Sequence, residues 1–405
     1  MIGQVRAAHQ VVSVNGQDYS VQLEPYFLEL SYKDSVSGDK ADDIQLKLAD
    51  PDRRWITDWM PEKGAKIDVA IRCERWFSPN AAPLLLDCGS FYIDQVEFSL
   101  PEHTLSIKAN PIPPSAKVKG TKKTKGFEST NLKAIAEKMA ADGGMTVQYE
   151  SSVNPIYKRV DQTEESDLEF LKKRTGDASL KMKISRDKIV VFDEADYEKR
   201  PPKFILAYGD QAPSRNDIPC YRLRSAKFTT KLTDTAKECC CSYMNPETGR
   251  LTKETFTAND RDVIDDTINL CENPDYELDE PRDGGDGEAF VLAYAASVRE
   301  GADPVISDWT PPSAAPSKNK GKGAKGKKAA MRKAKGKLRE KNKEKQKGEK
   351  MSLGIGNPLV AAGQTFLLEG CGQFDAKYFI EEVTHKLGTE DYNTELTARK
   401  VLEGY

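Results

Sequence analysis

The chain has 405 residues, 38% of them hydrophobic and 31% charged, which is too long for one ordinary core and suggests two to three domains. No run approaches the ~20 apolar residues needed to span a bilayer, and the opening MIGQVRAAHQVVSVNG lacks an apolar stretch followed by a small-residue cleavage site. Synthesis and assembly in the cytoplasm, without a signal peptide, are therefore expected.

The net charge of −3 conceals an asymmetry: Ser317 to Lys350 holds sixteen Lys/Arg against three Glu, which leaves the rest of the chain at −16. An acidic body with one basic insertion is not the footprint of a general nucleic-acid binder.

Residues 1–115 read as an all-β domain. Val11, Val12 and Val14 precede the turn signal Asn15-Gly16, and Tyr19, Val21 and Leu23 alternate after it, which predicts a hairpin. Ile44 to Leu48 and Ile67 to Ile71 alternate again. Phe91 to Phe98 and Leu105 to Lys108 predict an antiparallel pair.

Residues 116–200 change character to a small α+β domain. Leu132, Ile135, Ala136 and Met139 have helical spacing, with Ser129 to Asn131 to start the helix and Gly143-Gly144 to stop it. A second helix near Thr163 has Glu164, Glu165 and Asp167 early and Lys172 to Arg174 late, the order a helix dipole favours. Leu180, Met182 and Ile184 then alternate into a turn at Ser185 to Lys188, and Ile189 to Phe192 return.

Residues 201–310 are a β-rich segment, with strands from Lys203, Leu223 to Lys231 and Lys237 to Tyr243. Asn245 to Gly249 predicts a turn, and Glu288 to Val298 an Ala-rich helix. Residues 311–350 are a Lys-rich linker and helix insertion, flexible at first and helical from about Lys327 to Glu349. Residues 351–405 return to β pattern from Leu359. The fold class read from these patterns is mainly β with an α+β insertion.

Two distant segments match. Ser90-Phe-Tyr-Ile-Asp-Gln-Val-Glu-Phe-Ser-Leu100 aligns with Lys377-Tyr-Phe-Ile-Glu-Glu-Val-Thr-His-Lys-Leu387, and Leu105 to Lys108 is set against Leu396 to Arg399, which places four extra residues in the second turn. Cys88-Gly89 and Cys371-Gly372 precede the two copies. One reading is that amphipathic hairpins look alike; the sharper one is a duplicated barrel. Three assembled chains would then present six similar barrels, a way for a threefold object to meet a sixfold one.

The pattern Gly363, Gly370-Cys-Gly-Gln-Phe374, Lys377 to His385 and Tyr392-Asn-Thr394 resembles the end of the phage late control gene D family. So do Arg159 to Leu171, the helix Leu132 to Met139 before it, and Leu48-Ala-Asp-Pro-Asp-Arg53, Trp59 and Gly64. The resemblance implies two tube-like antiparallel β-barrels per chain plus a small α+β domain, with residues 1–115 as the first barrel, residues 201–310 contributing to the hub and second barrel, and residues 351–405 completing the second. It implies a homotrimeric baseplate hub between a tail-tube ring and a separate trimeric spike, related to the N-terminal part of VgrG proteins of type VI secretion. Further implied are contact with other baseplate proteins, transient contact of the lumen with DNA or a tape-measure protein, and no membrane insertion by this chain. The particle, a virion or phage-tail-like device, would assemble in the bacterial cytoplasm.

Catalytic chemistry finds little support. The three histidines are scattered, and eight cysteines form no Cys-x-x-Cys pair, so reduced thiols packing as small apolar residues are expected. The paired acids Glu164/Glu165 and Glu381/Glu382 read as surface or cap residues. Trp55 and Trp59, four apart, read as core or local packing, with an interface anchor as the alternative. Gly321 to Lys327 lacks the Ser/Thr of a phosphate loop. No enzyme, cofactor or metal is expected. The candidate site residues are Lys325, Lys327, Lys328, Arg332, Lys333, Lys335, Lys337 and Arg339, as contacts for a polyanion or an acidic partner. Their segment remains open between a solvated helix, contact with an acidic partner or with the chain's own acidic body, and contact with DNA phosphates. Rival functions are a nucleic-acid-binding protein acting through that segment and a tail-associated cell-wall hydrolase.

Overall fold

The structure, a computed structural model, describes residues 6–36, 42–114, 121–185, 187–209, 218–231, 235–244, 251–258, 267–270, 291–292, 296–297, 323–402 and 405. Alternating apolar residues build the first unit from six strands: β1 (Ala7–Val14), β2 (Phe27–Ser35), β3 (Asp43–Ala49), β4 (Lys66–Glu74), β5 (Leu84–Ser99) and β6 (Thr104–Asn110). They neighbour one another in the order β1-β4-β5-β6-β3-β2. Inward residues such as Leu30, Leu46, Ile71, Phe91 and Leu105 from these strands meet in one core. The expected hairpin after Asn15-Gly16 is reduced to Gln17–Asp18; Ser20–Leu23 turns into a short helix instead. Along its other edge β1 pairs over its full length with β4.

The middle unit begins with β7 (Lys123–Asn131), α1 (Leu132–Asp142), β8 (Thr146–Glu150) and β9 (Ile156–Glu165). It continues with α2 (Asp167–Asp177), β10 (Lys181–Ser185), β11 (Lys188–Phe192) and α3 (Glu194–Lys199). Asn131 caps α1 by accepting from the Ala134 amide at 2.9 Å. A reciprocal box of Ser166 and Glu169 starts α2, three residues later than the charge order suggests, because Thr163 to Glu165 finish β9. The apolar faces of α1 and α2 close on β10 and β11 through Ile135, Met139, Phe170, Leu171, Ile189 and Val191. Lys183 ties this unit to the first barrel through Asp34 and, at 3.2 Å, Asp42.

The second barrel uses β12 (Phe204–Ala207) and β13 (Cys220–Thr230) before an insertion of β14 (Glu238–Met244), β15 (Leu251–Thr257), β16 (Thr267–Leu270) and α4 (Gly323–Asn342). After it come β17 (Gln346–Leu353), β18 (Thr365–Glu369), β19 (Ala376–Gly388) and β20 (Tyr392–Lys400). These six strands close completely, in the circuit β12-β18-β19-β20-β17-β13 and back to β12. The helix expected to run to Glu349 ends at Asn342, and β17 takes over at Gln346 because β13 and β20 both pair with it. The turn at Asn245 to Gly249 lies outside the described residues. So does most of the helix expected at Glu288 to Val298, whose described pieces, Val291–Leu292 and Ala296–Ser297, are strands.

Taken in chain order, the two barrels follow one circuit, β1 to β6 against β12, β13 and β17 to β20. Ile93 faces Ala109 and Val96 faces Ile107, with a bulge at Asp94; Ile380 faces Ala398 and Val383 faces Leu396, with a bulge at Glu381. Phe27 faces Leu48 and Tyr32 faces Ile44, as Leu223 faces Leu353 and Phe228 faces Gly348; both pairs of strands shift register at the first step, and β13 and β17 shift again after Ser225. The alignment of Leu105 with Leu396 is thereby corrected: Ile107 matches Leu396 and Ala109 matches Ala398, so the second turn is longer by two residues rather than four. The Cys-Gly pairs are not equivalent, since Cys88 lies within β5 whereas Cys371 opens a turn. Two differences break the likeness: β12 runs parallel to β18 while β1 is antiparallel to β4, and β13 closes on β12 whereas β2 and β1 do not pair among the described residues.

Candidate functional site: a barrel joint and a docked basic helix

A β-strand offers hydrogen-bonding groups on two edges, and β19 divides one of its edges between two barrels. Its first residues, Ala376 to Phe379, pair with β18; its last, Glu382 to Gly388, pair with Ser35 to Glu29 of β2. Along the other edge β20 runs almost the full length. The handover is set at Ile380, which donates to the Gln364 carbonyl at 2.9 Å and accepts from the Gly363 amide at 2.9 Å. Gly363 has φ +85, a conformation side chains disfavour. Ile93 makes the same two bonds with Ala65 (3.1 Å) and Gly64 (2.7 Å), and Gly64 also has φ +85.

The bulge at Glu381 turns both acids of the Glu381/Glu382 pair outward, which corrects their reading as simple surface residues. Glu382 meets Lys33 of β2 at 2.8 Å, and Glu381 meets the buried Arg399 at 3.2 Å. His385 lies inside the joint: its Nε2 donates to the Val360 carbonyl at 3.1 Å, and its Nδ1 accepts from the Tyr392 hydroxyl at 2.7 Å. Burial holds His385 down at about 4 against the small opposing pull of Asp34. Trp76 adds a bond across the two barrels, donating to the Gly356 carbonyl at 2.6 Å.

Beside this joint lies α4. Ala330, Ala334 and Leu338, four residues apart, form an apolar stripe on Cys239 and Cys241 of β14 with Ala236 and Ala258. Cys240, on the other face of that strand, is half-buried and pairs with Thr255. On its opposite side α4 meets acids of α3. Arg339 reaches Glu198 at 2.7 Å, and Lys343 just beyond the helix reaches Glu194 at 2.6 Å. Arg399 joins both acids from β20, at 2.5 Å to Glu198 and 3.5 Å to Glu194. Burial alone would raise the Glu194 carboxyl, but Arg399, Lys343 and Lys181 outweigh it and hold the group at about 2.

The candidate cations divide accordingly. Lys325, Lys327 and Lys328 belong to α4, with side chains outside the described residues. Lys333 and Arg339 are buried. With them, Arg332, Lys335 and Lys337 line a cleft of about 760 Å³ between α4 and α2, opposite Lys172 and Lys173. Burial, then the neighbouring Arg339 and Lys199, lower the Lys335 amine. Gly336 lets α4 come close enough for Ser179 to donate to the Arg332 carbonyl at 3.2 Å. Glu194, Glu198 and Arg399 had no signature in the chain, because each is one charge among many until the fold brings them together. Among the described residues no cluster of three or more His, Cys, Asp or Glu could hold a metal, and no helix is long and apolar enough to cross a membrane.

No protein-family model matches the chain, and no curated protein matches it by sequence. Solved structures do. The 43 kDa tail protein of prophage MuSo2 from Shewanella oneidensis superposes with a TM-score of 0.59 at 11% identity, covering 97% of this chain and 98% of that one. The chain has the fold of a phage tail protein. A tail protein from Neisseria meningitidis MC58 gives the same TM-score at 13% identity, with 97% of each chain covered. At such identities the likeness is one of fold, and it runs through both barrels and the unit between them.

Proposed function

We propose that this chain is a structural baseplate hub of the late control gene D family, a trimeric adaptor between a sixfold tail tube and a threefold spike in a contractile tail or injection particle. The observation that carries the reading is the duplication: one chain holds two barrels with a common strand circuit and common bulges. Three copies would set six similar barrels in a ring of approximate sixfold symmetry while the chains themselves obey threefold symmetry. A tube ring would meet the six barrels, and a separate trimeric spike and other baseplate proteins would meet the threefold parts. The role is structural rather than catalytic, within a particle assembled in the bacterial cytoplasm.

In this reading Lys325, Lys327, Lys328, Arg332, Lys335 and Lys337 give α4 a basic flank for an acidic partner or a passing polyanion, while Lys333 and Arg339 serve the docking of the helix. Mass measurement of the purified chain, alone and with its spike and tube partners, tests the proposal. A trimer that binds both is expected. A strict monomer that joins neither overturns it.

A further inference from the structure

An unpaired strand edge presents a row of amide and carbonyl groups and serves as a template for another strand. Within this chain one such edge is satisfied by duplication: β19, released by β18 at Phe379, continues along β2. The equivalent strand in the first barrel, β5, is released by β4 at Tyr92 and makes its last bonds on that side at Ile93. From Gln95 to Ser99 it pairs only with β6 among the described residues. The equivalent of β2 in the second barrel, β13, pairs with β12 only through Cys220 to Arg222. From Leu223 to Thr230 it pairs only with β17 among the described residues. Each copy thus carries one completed barrel joint and the two separate halves of another.

We propose that the open edge of β5, Gln95 to Ser99, pairs antiparallel with the open edge of β13 in a second copy of this chain, in the register that β19 adopts on β2. This rests on the trimeric reading above and names the surface that would build the trimer. The register follows from the internal equivalences. His385 faces Tyr32 within the chain, so Phe98 faces Phe228 between chains. Leu387 faces Leu30, so Leu100 faces Ala226; Thr384 faces Lys33, so Glu97 faces Thr229.

Two independent properties suit these edges to each other. Asp94 and Glu97 are exposed on the β5 side, and Arg224, Lys227 and Lys231 are exposed on the β13 side. The matching joint inside the chain uses the same kind of pair, Lys33 with Glu382. Leu100 is 59% exposed where its counterpart Leu387 is 2% exposed, so an apolar position built to be covered is open in the single chain. The two edges differ, which makes the contact heterologous, and a heterologous contact closes into a ring when the rotation allows. Three copies would give six barrels joined by six joints of one type.

The test compares solution mass against concentration for the full chain and three variants: Asp94→Lys with Glu97→Lys, Lys227→Glu with Lys231→Glu, and all four together. Each one-sided reversal is expected to raise the concentration needed for assembly at least tenfold, and the combined chain to return to the parent value. All four side chains are exposed, so circular dichroism should report an unchanged fold. A chain carrying Glu97→Cys and Thr229→Cys, positions directly opposite in this register, should cross-link on oxidation into species of up to three chains, which neither single variant forms. Trimers unaffected by both reversals, with no cross-link, overturn the joint and leave the hub reading standing. A parent chain that stays monomeric at every concentration overturns both.

Discussion

His385 of β19 stacks on Tyr32 of β2 with ring centroids 6.0 Å apart and 13° between planes, so a titratable ring is sealed inside the joint of the two barrels. Its folded value near 4 lies below the ordinary 6.5, with burial as the main cause. Stability from the neutral ring is then full above about pH 6.5 and lost as pH falls toward 4, on the order of 3 kcal/mol. Asp42, pushed up to about 6 by burial and by Asp34 against the pull of Lys183, has the opposite slope over a similar range. The readout is therefore a difference: His385→Gln should lose the acid-side decline in urea unfolding between pH 6.5 and 4.5 relative to the parent chain. Parallel profiles for the two proteins would contradict it.

Arg399 is fully buried among Glu194, Glu198 and Glu381. Removing one partner of a buried ion network strands the others, at a cost of about 3–5 kcal/mol. Arg399→Ala should lower the urea midpoint accordingly. A loss below about 1 kcal/mol would place the network with ordinary surface pairs.

A methyl added at Gly336 would lie 2.0 Å from Ser179 Oγ and 2.6 Å from Ser179 Cβ. Gly336→Ala should destabilise by about 1–3 kcal/mol through overpacking. Ser179 has φ +59, so Ser179→Gly both relieves the backbone and clears the contact. The double variant should recover most of the loss in a thermal melt; no recovery would mean α4 does not pack there.

Thiol reactivity follows exposure and thiolate character. Cys73, Cys88, Cys239 and Cys241 are buried, and burial pushes the Cys73 thiol up to about 12. Cys220 is exposed. Timed alkylation of the native chain, read by peptide mass, should modify Cys220 well before those four. Early labelling of Cys239 would show that α4 does not cover β14.

Much of the barrel architecture was legible because strands with one buried face repeat every two residues, and the hairpins at Ser90 and Lys377 kept the same inward positions. Their bulges were not, since a bulge moves the pairing without changing which residues are apolar; this is why Leu105 was set two positions out of step. β12 was legible only as strand character from Lys203, because four buried residues without alternation fit helix or strand equally. The basic segment misled in a different way. Lysines are normally solvated, and only the fold shows that Lys333 and Arg339 are buried and that they border one cleft with Lys335 and Lys337. The network on Arg399 joins residues some 200 positions apart, from Glu194 to Arg399, and no local pattern encodes that.

The insertion between β13 and β17 also has a consequence for synthesis. β12 and β13 leave the ribosome well over a hundred residues before β17 to β20 exist to close their barrel, and the edge of β2 waits longer still for β19. At ~5–20 residues per second, that is an interval of many seconds in which open strand edges face a crowded cell. Pairings over such long sequence separation form slowly. The early-made strands are thus the part of the chain most in need of chaperone protection, and truncation after Thr230 should leave a product that aggregates rather than a smaller stable barrel.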